Sequence, residues 1–426
     1  MTYDLSALHE ELDFKSLVYD VRQASGILGM TPGGDRSRGL RHMAQVLQAS
    51  QDQILEANTL DLEACQDMAV PERMQEWLKL TPERLQDSIK LLGDLAQITD
   101  PLQRAMPTAY GAEQSQAYTQ LMPLGVIALV HEALPELGII TAGMCVRTGN
   151  GLILRGSNET NHTNEAIVSL LQQGLEESGL PPAGVTNFCC DQGMPLAELL
   201  TQDHWINLII PYGRPSLVQK TVKQATVPVL RTGIGNCYLY WSASGAVDTV
   251  RWMIIDSHSS EPDPVNALEK VLVSQEVGQA ALYSVWDSLR ERGFQLRGDA
   301  QLAAEFPDDL VLASDGEWFQ PYLDKVVAFR RVENLAMAVA WINDHSSGHA
   351  DALATESYVE SRYFARQVNS ATLYTNTSPR FKRNPNQGYN VALGMTNQKG
   401  QRRGRISFEM LTAAKQIVLG NGQGED

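Results

Sequence analysis

A chain of 426 residues is long enough for two or more domains with real cores, and its 43% hydrophobic and 20% charged content is that of a globular protein. Its net charge of −16 repels a phosphate backbone and argues against general nucleic-acid binding. It has no apolar run of about 18 residues to span a bilayer, and the acidic start MTYDLSALHEELDF lacks a secretion-signal layout, so a cytoplasmic location is expected.

The first hundred residues read as helices. One amphipathic stretch opens at Val21–Ser25, and another is expected from Arg38 to Ala57, where Leu40, Met43, Ala44, Val46 and Leu47 recur at helical steps. Thr81-Pro82-Glu83-Arg84 has a cap residue followed by proline at the first helical position. The alternation in Gln116–Leu121 suits a strand. Short apolar runs then predict buried strands at Gly125–Val130, Leu152–Leu154, Leu208–Ile210 and Val227–Leu230. Helices are expected between them, through Met144 and Arg147, over Glu165–Glu177, and from near Leu217. This alternation predicts an α/β fold with a parallel sheet covered on both faces. A second α/β unit is expected from about Cys237 to Asn376, with strands near Leu310–Leu312 and Lys325–Phe329.

Ligands on such sheets bind beyond the carboxyl ends of the strands, here His131–Glu136, Arg155–Glu159 and Pro211–Ser216. The G-x-G-x-x-G fingerprint is missing, and Gly233-Ile234-Gly235-Asn236 is too short to replace it. The five cysteines (Cys65, Cys145, Cys189, Cys190 and Cys237) are irregularly spaced, which favours buried or idle thiols over a disulfide framework. No metal-site motif is present, so no metal is expected. Arg380, Lys382, Arg383, Lys399, Arg402, Arg403 and Arg405 form a basic stretch without a carboxylate. It reads as a phosphate or acidic-partner site, or as a solvated basic face, with the solvated face slightly preferred.

Pro123-Leu124-Gly125-Val126-Ile127, Glu132-Ala133 with Pro135, Gly149-Asn150 and Ile153-Leu154-Arg155-Gly156 resemble γ-glutamyl phosphate reductase, of the aldehyde dehydrogenase superfamily. Further matches are Ile54–Asn58 with Asp61-Leu62, Leu208–Pro211, Ser346-Ser347-Gly348-His349, Asn376 with Ser378 and Arg380-Phe381, Gln398-Lys399 and Gly420–Gln423. The resemblance implies an aldehyde dehydrogenase-like fold in three parts. These are a Rossmann-like cofactor-type domain (1–113 and 124–236), a catalytic-type α/β domain (237–405) and an oligomerisation element (114–123 and 406–426). It also implies NADP as cofactor, with Arg155, Gly156, Glu159, Pro211 and Gly213 as binding residues, and Asn376, Ser378 and Arg380 as substrate-type residues. A hairpin at Ala112–Gln120 is expected to pair protomers, giving a homo-oligomer or an assembly with another protein.

The family reduces γ-glutamyl phosphate with NADPH through a cysteine thiolate. Here the nucleophile's pattern falls on Glu261, Pro262, Asp263, Pro264 and Val265, with the neighbours Asn266 and Ala267 retained. A valine side chain has no lone pair, and no cysteine follows Cys237. The family's Arg-Pro-Asn becomes Leu134-Pro135-Glu136, placing a carboxylate at the oxyanion position. A lysine becomes His258, an arginine Glu261, and two carboxylates Pro321 and Ala392; Arg-Gly-Pro-Met-Gly becomes Arg403–Ser407. These departures predict a non-catalytic homologue with a binding, structural or regulatory role. The alternatives are an active NADPH-dependent reductase of proline biosynthesis, or different chemistry using Glu136 or His258 as acid or base.

Overall fold

A computed structural model describes residues 5–68, 70–107, 116–188, 196–260, 262–385, 391–398 and 403–420. The chain divides into two compact units, one of residues 1–230, 384–393 and 406–426, the other of residues 231–383 and 394–405.

Unit 1 opens with helices α1 (Leu5–Met30), α2 (Gly33–Ala49), α3 (Gln51–Asp67), α4 (Glu72–Leu78) and α5 (Pro82–Gln97). The single helical stretch expected over Arg38–Ala57 is in fact two helices broken at Ser50, whose ψ of 25° leaves the helical path. Periodicity misses this break because both helices bury apolar residues. At the start of α5 the Thr81 side chain accepts the Arg84 N–H, with Pro82 at the first position, as the local signal predicts.

After β1 (Ala105–Pro107) and β2 (Gln116–Pro123) comes the central sheet of unit 1. It is built from β3 (Val126–His131), helix α6 (Glu136–Arg147), β4 (Gly151–Arg155), α7 (Asn161–Glu177), β5 (Val185–Asn187), α8 (Leu196–Leu200), β6 (Leu208–Tyr212) and α9 (Pro215–Gln224). The strands are parallel in the order β5-β4-β3-β6. The strand expected at Val227–Leu230 is only an isolated bridge between Val229 and Ile209. The sheet's other strand is β5, three residues whose Val-Thr-Asn gives almost no apolar signal. One sheet face packs Val126, Ala128, Val130, Ile153 and Ile209 against Phe14, Val18 and Val21 of α1. Because β4 and β6 lie on opposite sides of β3, the strand order reverses between β3 and β6.

Unit 2 runs β7 (Cys237–Trp241), α10 (Val247–Ser257), β8 (Leu268–Ser274), α11 (Gln279–Arg290), β9 (Gln295–Gly298), α12 (Ala300–Glu305), β10 (Val311–Leu312), β11 (Val326–Val332), α13 (Leu335–His345), β12 (Ala350–Ala354), α14 (Tyr358–Gln367) and β13 (Thr372–Thr375). The seven described strands of its main sheet, in the order β10-β9-β11-β8-β7-β12-β13, are parallel throughout. Side-chain alternation splits them between two cores. Leu239, Val271 and Phe329 pack with Met253 and Trp286, whereas Tyr238, Leu272 and Ala328 pack with Ile342 and Phe364. The short pair β14 (Met395–Thr396) and β15 (Gly404–Arg405) completes the unit.

The chain then returns to unit 1 as β16 (Thr412–Leu419), which pairs antiparallel with β2 over all eight residues. In the resulting sheet, β1-β2-β16, the outer edge of β16 has no strand partner among the described residues. Residues 112–115 of the expected hairpin lie outside the described residues.

Candidate functional site

In unit 1 the sheet register gathers five of the expected residues at one edge. Arg155 and Pro211 both lie opposite Val130, one on each side of β3. Gly156 follows Arg155, and a Cβ there would stand 2.1 Å from Asn164 Nδ2 and 2.2 Å from Thr160 Oγ1, so only glycine passes. Gly213 has φ +152° and sits against Glu132, whose Oε2 is 2.8 Å from its would-be Cβ. Glu159, half-buried, lies in the turn before α7. The Arg155 guanidinium lies over the Phe188 ring, 5.3 Å from its centroid. Beside these residues, Ser157 Oγ and Asn164 Oδ1 are buried polar atoms with no hydrogen-bond partner among the described residues.

The same edge carries the turn from β3 into α6. His131 is buried, with Nδ1 2.6 Å from the Ala133 carbonyl, and burial pushes its pKa down to about 4. Glu132 accepts from the Arg214 backbone N–H at 3.0 Å, from Nε at 3.1 Å and from Nη2 at 3.1 Å. Glu136 is the first residue of α6 and is buried. Both of its oxygens accept from Arg84 Nη2, at 2.7 and 2.6 Å. The carboxylate is therefore held in a largely buried ion pair.

In unit 2, Val265 precedes β8 and its side chain is fully buried. Its carbonyl accepts from the Gly235 N–H at 2.9 Å and lies 2.8 Å from His349 Nε2, and its own N–H donates to the Asp263 carbonyl at 2.9 Å. Burial pushes the His349 pKa down to about 4, so the ring is neutral at pH 7 and Nε2–H is the donor to that carbonyl. The nearby thiol is Cys237, with Sγ 3.3 Å from the same nitrogen. It is fully buried, and desolvation raises its pKa well above that of an ordinary thiol, so thiolate is scarce there. Cys65 and Cys145 are buried as well, whereas Cys189 and Cys190 lie outside the described residues.

Asn266 donates to the Pro379 carbonyl at 2.8 Å, which brings the Ser378–Arg380 segment beside it. Ser378 Oγ accepts the Arg380 N–H at 3.2 Å, and the Arg380 side chain reaches the Ser259 carbonyl at 2.9 Å and Asp256 at 3.5 Å. Asn376, at φ +51°, is instead tied to Thr355, accepting its N–H at 2.9 Å and donating to its carbonyl at 2.6 Å. His258 ends α10 with Nδ1 3.0 Å from the Ile254 carbonyl and its ring edge-on to Phe294; burial lowers its pKa, so it is packed rather than presented. Pro321 packs against Gly235, and Ala392 is buried in unit 1. Glu261 lies outside the described residues.

The basic stretch is solvated in part: Arg380, Lys382 and Arg403 are exposed, whereas Arg383 and Arg405 are half-buried. Arg383 makes a two-oxygen contact with buried Asp263 at 2.9 and 3.0 Å, Arg405 donates to the Lys382 carbonyl at 2.6 Å, and Arg403 reaches Asn369 Oδ1 at 2.9 Å. Lys399 and Arg402 lie outside the described residues. Sequence reading missed the Asp263 pair because its partner is 120 residues away. It also missed Glu269 and Lys270, a charged pair inside a fully buried strand, and there the signal was available. Glu269 accepts three backbone N–H groups, from Asn236, Tyr322 and Leu323, at 2.8, 3.0 and 2.9 Å. Lys270 Nζ lies 3.6 Å from Glu269, and burial depresses its pKa to about 8.

A profile described as the Aldehyde dehydrogenase family matches residues 5–233. The chain is 50% identical over 391 residues to "Gamma-glutamyl phosphate reductase 2" of Synechocystis sp., covering 92% of this chain and 93% of that protein. The chain belongs to the γ-glutamyl phosphate reductase family. "Gamma-glutamyl phosphate reductase" of Gloeobacter violaceus is 32% identical, with 98% of this chain and 99% of the relative covered. The crystal structure of the Thermotoga maritima γ-glutamyl phosphate reductase superposes with a TM-score of 0.88 at 27% identity, covering 96% of this chain and 99% of that one. The aldehyde dehydrogenase-like α/β fold with parallel sheets is that of the family. Among the described residues no helix is long and apolar enough to cross a membrane, and no cluster of three or more His, Cys, Asp or Glu could hold a metal ion.

Proposed function

We propose that this chain is a non-catalytic member of the γ-glutamyl phosphate reductase family, with a binding, structural or regulatory role. The observation that carries this reading is Val265, a fully buried apolar side chain where the family pattern calls for the nucleophilic cysteine. Around it the backbone is held by Gly235, Asp263 and His349, and the neighbouring Cys237 is kept protonated by burial. A thioester has no atom on which to form at position 265. The relatives' names favour the second reading, an active NADPH-dependent reductase, which requires a nucleophile elsewhere in the chain.

The purified full chain, given glutamate semialdehyde, phosphate and NADP, decides between the two. Absorbance at the reduced-nicotinamide band should stay at the no-enzyme blank while an active family member turns over alongside. Sustained turnover sinks the non-catalytic reading.

Binding of NADP is a separate part of the proposal. Arg155, Gly156, Glu159, Pro211 and Gly213 share one sheet edge with the buried, unpartnered Ser157 Oγ and Asn164 Oδ1, a lining that suits a ligand bearing phosphates and hydroxyls. When bound, NADP would supply hydride chemistry, but the residues at position 265 offer no acyl group to receive it. Calorimetric titration with NADP tests retention, and no heat at millimolar ligand ends the idea. Assembly with a second copy or another protein through the three-stranded sheet is supported by the edge of β16, which no described strand covers, and by exposed Met122, Val418 and Leu419. Light scattering on the parent and on a Val418→Lys variant should show a drop in assembled mass, and a monomeric parent removes self-assembly.

A further inference from the structure

The turn joining β3 to α6 carries an unusual backbone. Ala133 and Leu134 stand in succession at φ +50° and +52°, and neither is glycine. Among the described residues no other two consecutive non-glycine residues adopt the left-handed region. Side chains with a Cβ avoid it because the Cβ crowds the following carbonyl oxygen, and such residues persist only where their surroundings over-determine them.

The surroundings here come from three directions within unit 1. His131 closes on the Ala133 carbonyl inside the turn, and Glu132 ties it to Arg214 after β6. The third restraint comes from the corner between α4 and α5. Leu134 donates its N–H to the Trp77 carbonyl at 3.3 Å. Arg84 donates to that same Trp77 carbonyl at 3.1 Å, to the Lys79 carbonyl, and to both oxygens of Glu136. One guanidinium is therefore linked to Leu134 through the shared Trp77 carbonyl and directly to Glu136 two residues further on. With side-chain exposures of 13% and 5%, the pair is largely shielded from water.

We propose that the Arg84–Glu136 ion pair is a latch that holds the β3–α6 turn in its strained form and so fixes the carboxyl edge of β3. That edge lies where the strand order reverses, the place where open α/β sheets present their ligand crevice. The latch rests on the reading that position 136 no longer serves chemistry and gives the carboxylate there a conformational task. An asparagine at this position carries no charge and could not form the same ion pair.

Native-state hydrogen exchange on the full chain tests the latch, in the Arg84→Met and Glu136→Gln variants. The amides of Glu132, Leu134, Leu137 and Gly138, each hydrogen-bonded within or beside the turn, should exchange about tenfold faster in Arg84→Met and by a smaller factor in Glu136→Gln. Exchange in α9 and β16 should stay within about twofold of the parent. Turn exchange within about twofold of the parent in both variants overturns the proposal, as does a rise spread evenly over unit 1. If Arg84→Met does not fold, Glu136→Gln alone decides. Turnover in the parent would remove the non-catalytic reading and leave the exchange result standing, so the two failures are told apart.

Discussion

Glu136 and Val265 are buried almost equally, at 4% and 0% exposure, but by opposite means. Glu136 brings a charge into the interior, so the fold must supply Arg84 to meet it. Val265 brings none, and only its backbone needs partners, which Gly235, Asp263 and His349 provide. An unpaired buried charge costs several kcal/mol, whereas a buried valine asks only for a space of the right volume. The first arrangement makes two residues depend on each other, and the second leaves the position tolerant of other apolar groups.

The contrast is broken most directly by removing one charge. Glu136→Ala takes the carboxylate from Arg84, leaving it the Trp77 and Lys79 carbonyls, and should cost ~3 kcal/mol in urea unfolding. Asp263→Ala, two residues before Val265, removes the buried carboxylate that Arg383 meets and should cost a similar amount, in line with side-chain exposures of 0% and 13%. A loss below ~1 kcal/mol at Glu136 would erase the difference between the two positions.

Acid acts on both regions alike. His131 beside the first and His349 beside the second each have a folded pKa of about 4 because of burial. Their unfolded value is near 6.5, so the unfolded chain binds the protons first as pH falls. The stability from the neutral rings is complete above pH 6.5 and is lost as pH drops toward 4, by up to ~3 kcal/mol for each. Denaturation at pH 7 and pH 4.5 should show the loss, and His131→Gln and His349→Gln should each flatten it. A pH-independent parent would show that the rings are not held neutral.

At Val265 the expected effects are smaller. Val265→Ala should cost ~2 kcal/mol from lost burial and the space left behind. Val265→Cys roughly keeps the volume and should cost less than ~1 kcal/mol. It should also gain no reductase turnover, because His349 is neutral and already bonded to the residue's own carbonyl. Turnover from this single change would show that the corner is still wired for chemistry. The smallest effect belongs to Arg214→Ala, whose half-exposed side chain pairs with Glu132 while the backbone N–H contact to the same carboxylate survives. Unfolding should register under ~1 kcal/mol.

The parallel α/β architecture was legible because buried strands such as Val126–His131 are continuous apolar runs bounded by turn residues. The Thr81-Pro82 helix start was equally local. The break at Ser50 and the strand Val185–Asn187 were not legible, the first because both flanking helices share a burial pattern and the second because three residues carry no periodicity. Of the candidate site, the residues to inspect could be named, but not their partners. Arg84 lies 52 residues from Glu136 and Arg383 lies 120 from Asp263, and no local rule links them. In the basic stretch the same limit applies: Arg383 meets Asp263 and Arg380 meets Asp256 only across the fold, while Lys382 and Arg403 stay exposed.

By itself the sequence determined the fold class, the family and the absence of a thiol at position 265, since hydrophobic patterning and residue identity are properties of the linear chain. Only the tertiary structure decided what Glu136, Asp263 and His349 do. The state of a buried charge or imidazole depends on which dipoles and counter-charges surround it, and folding brings those from distant segments.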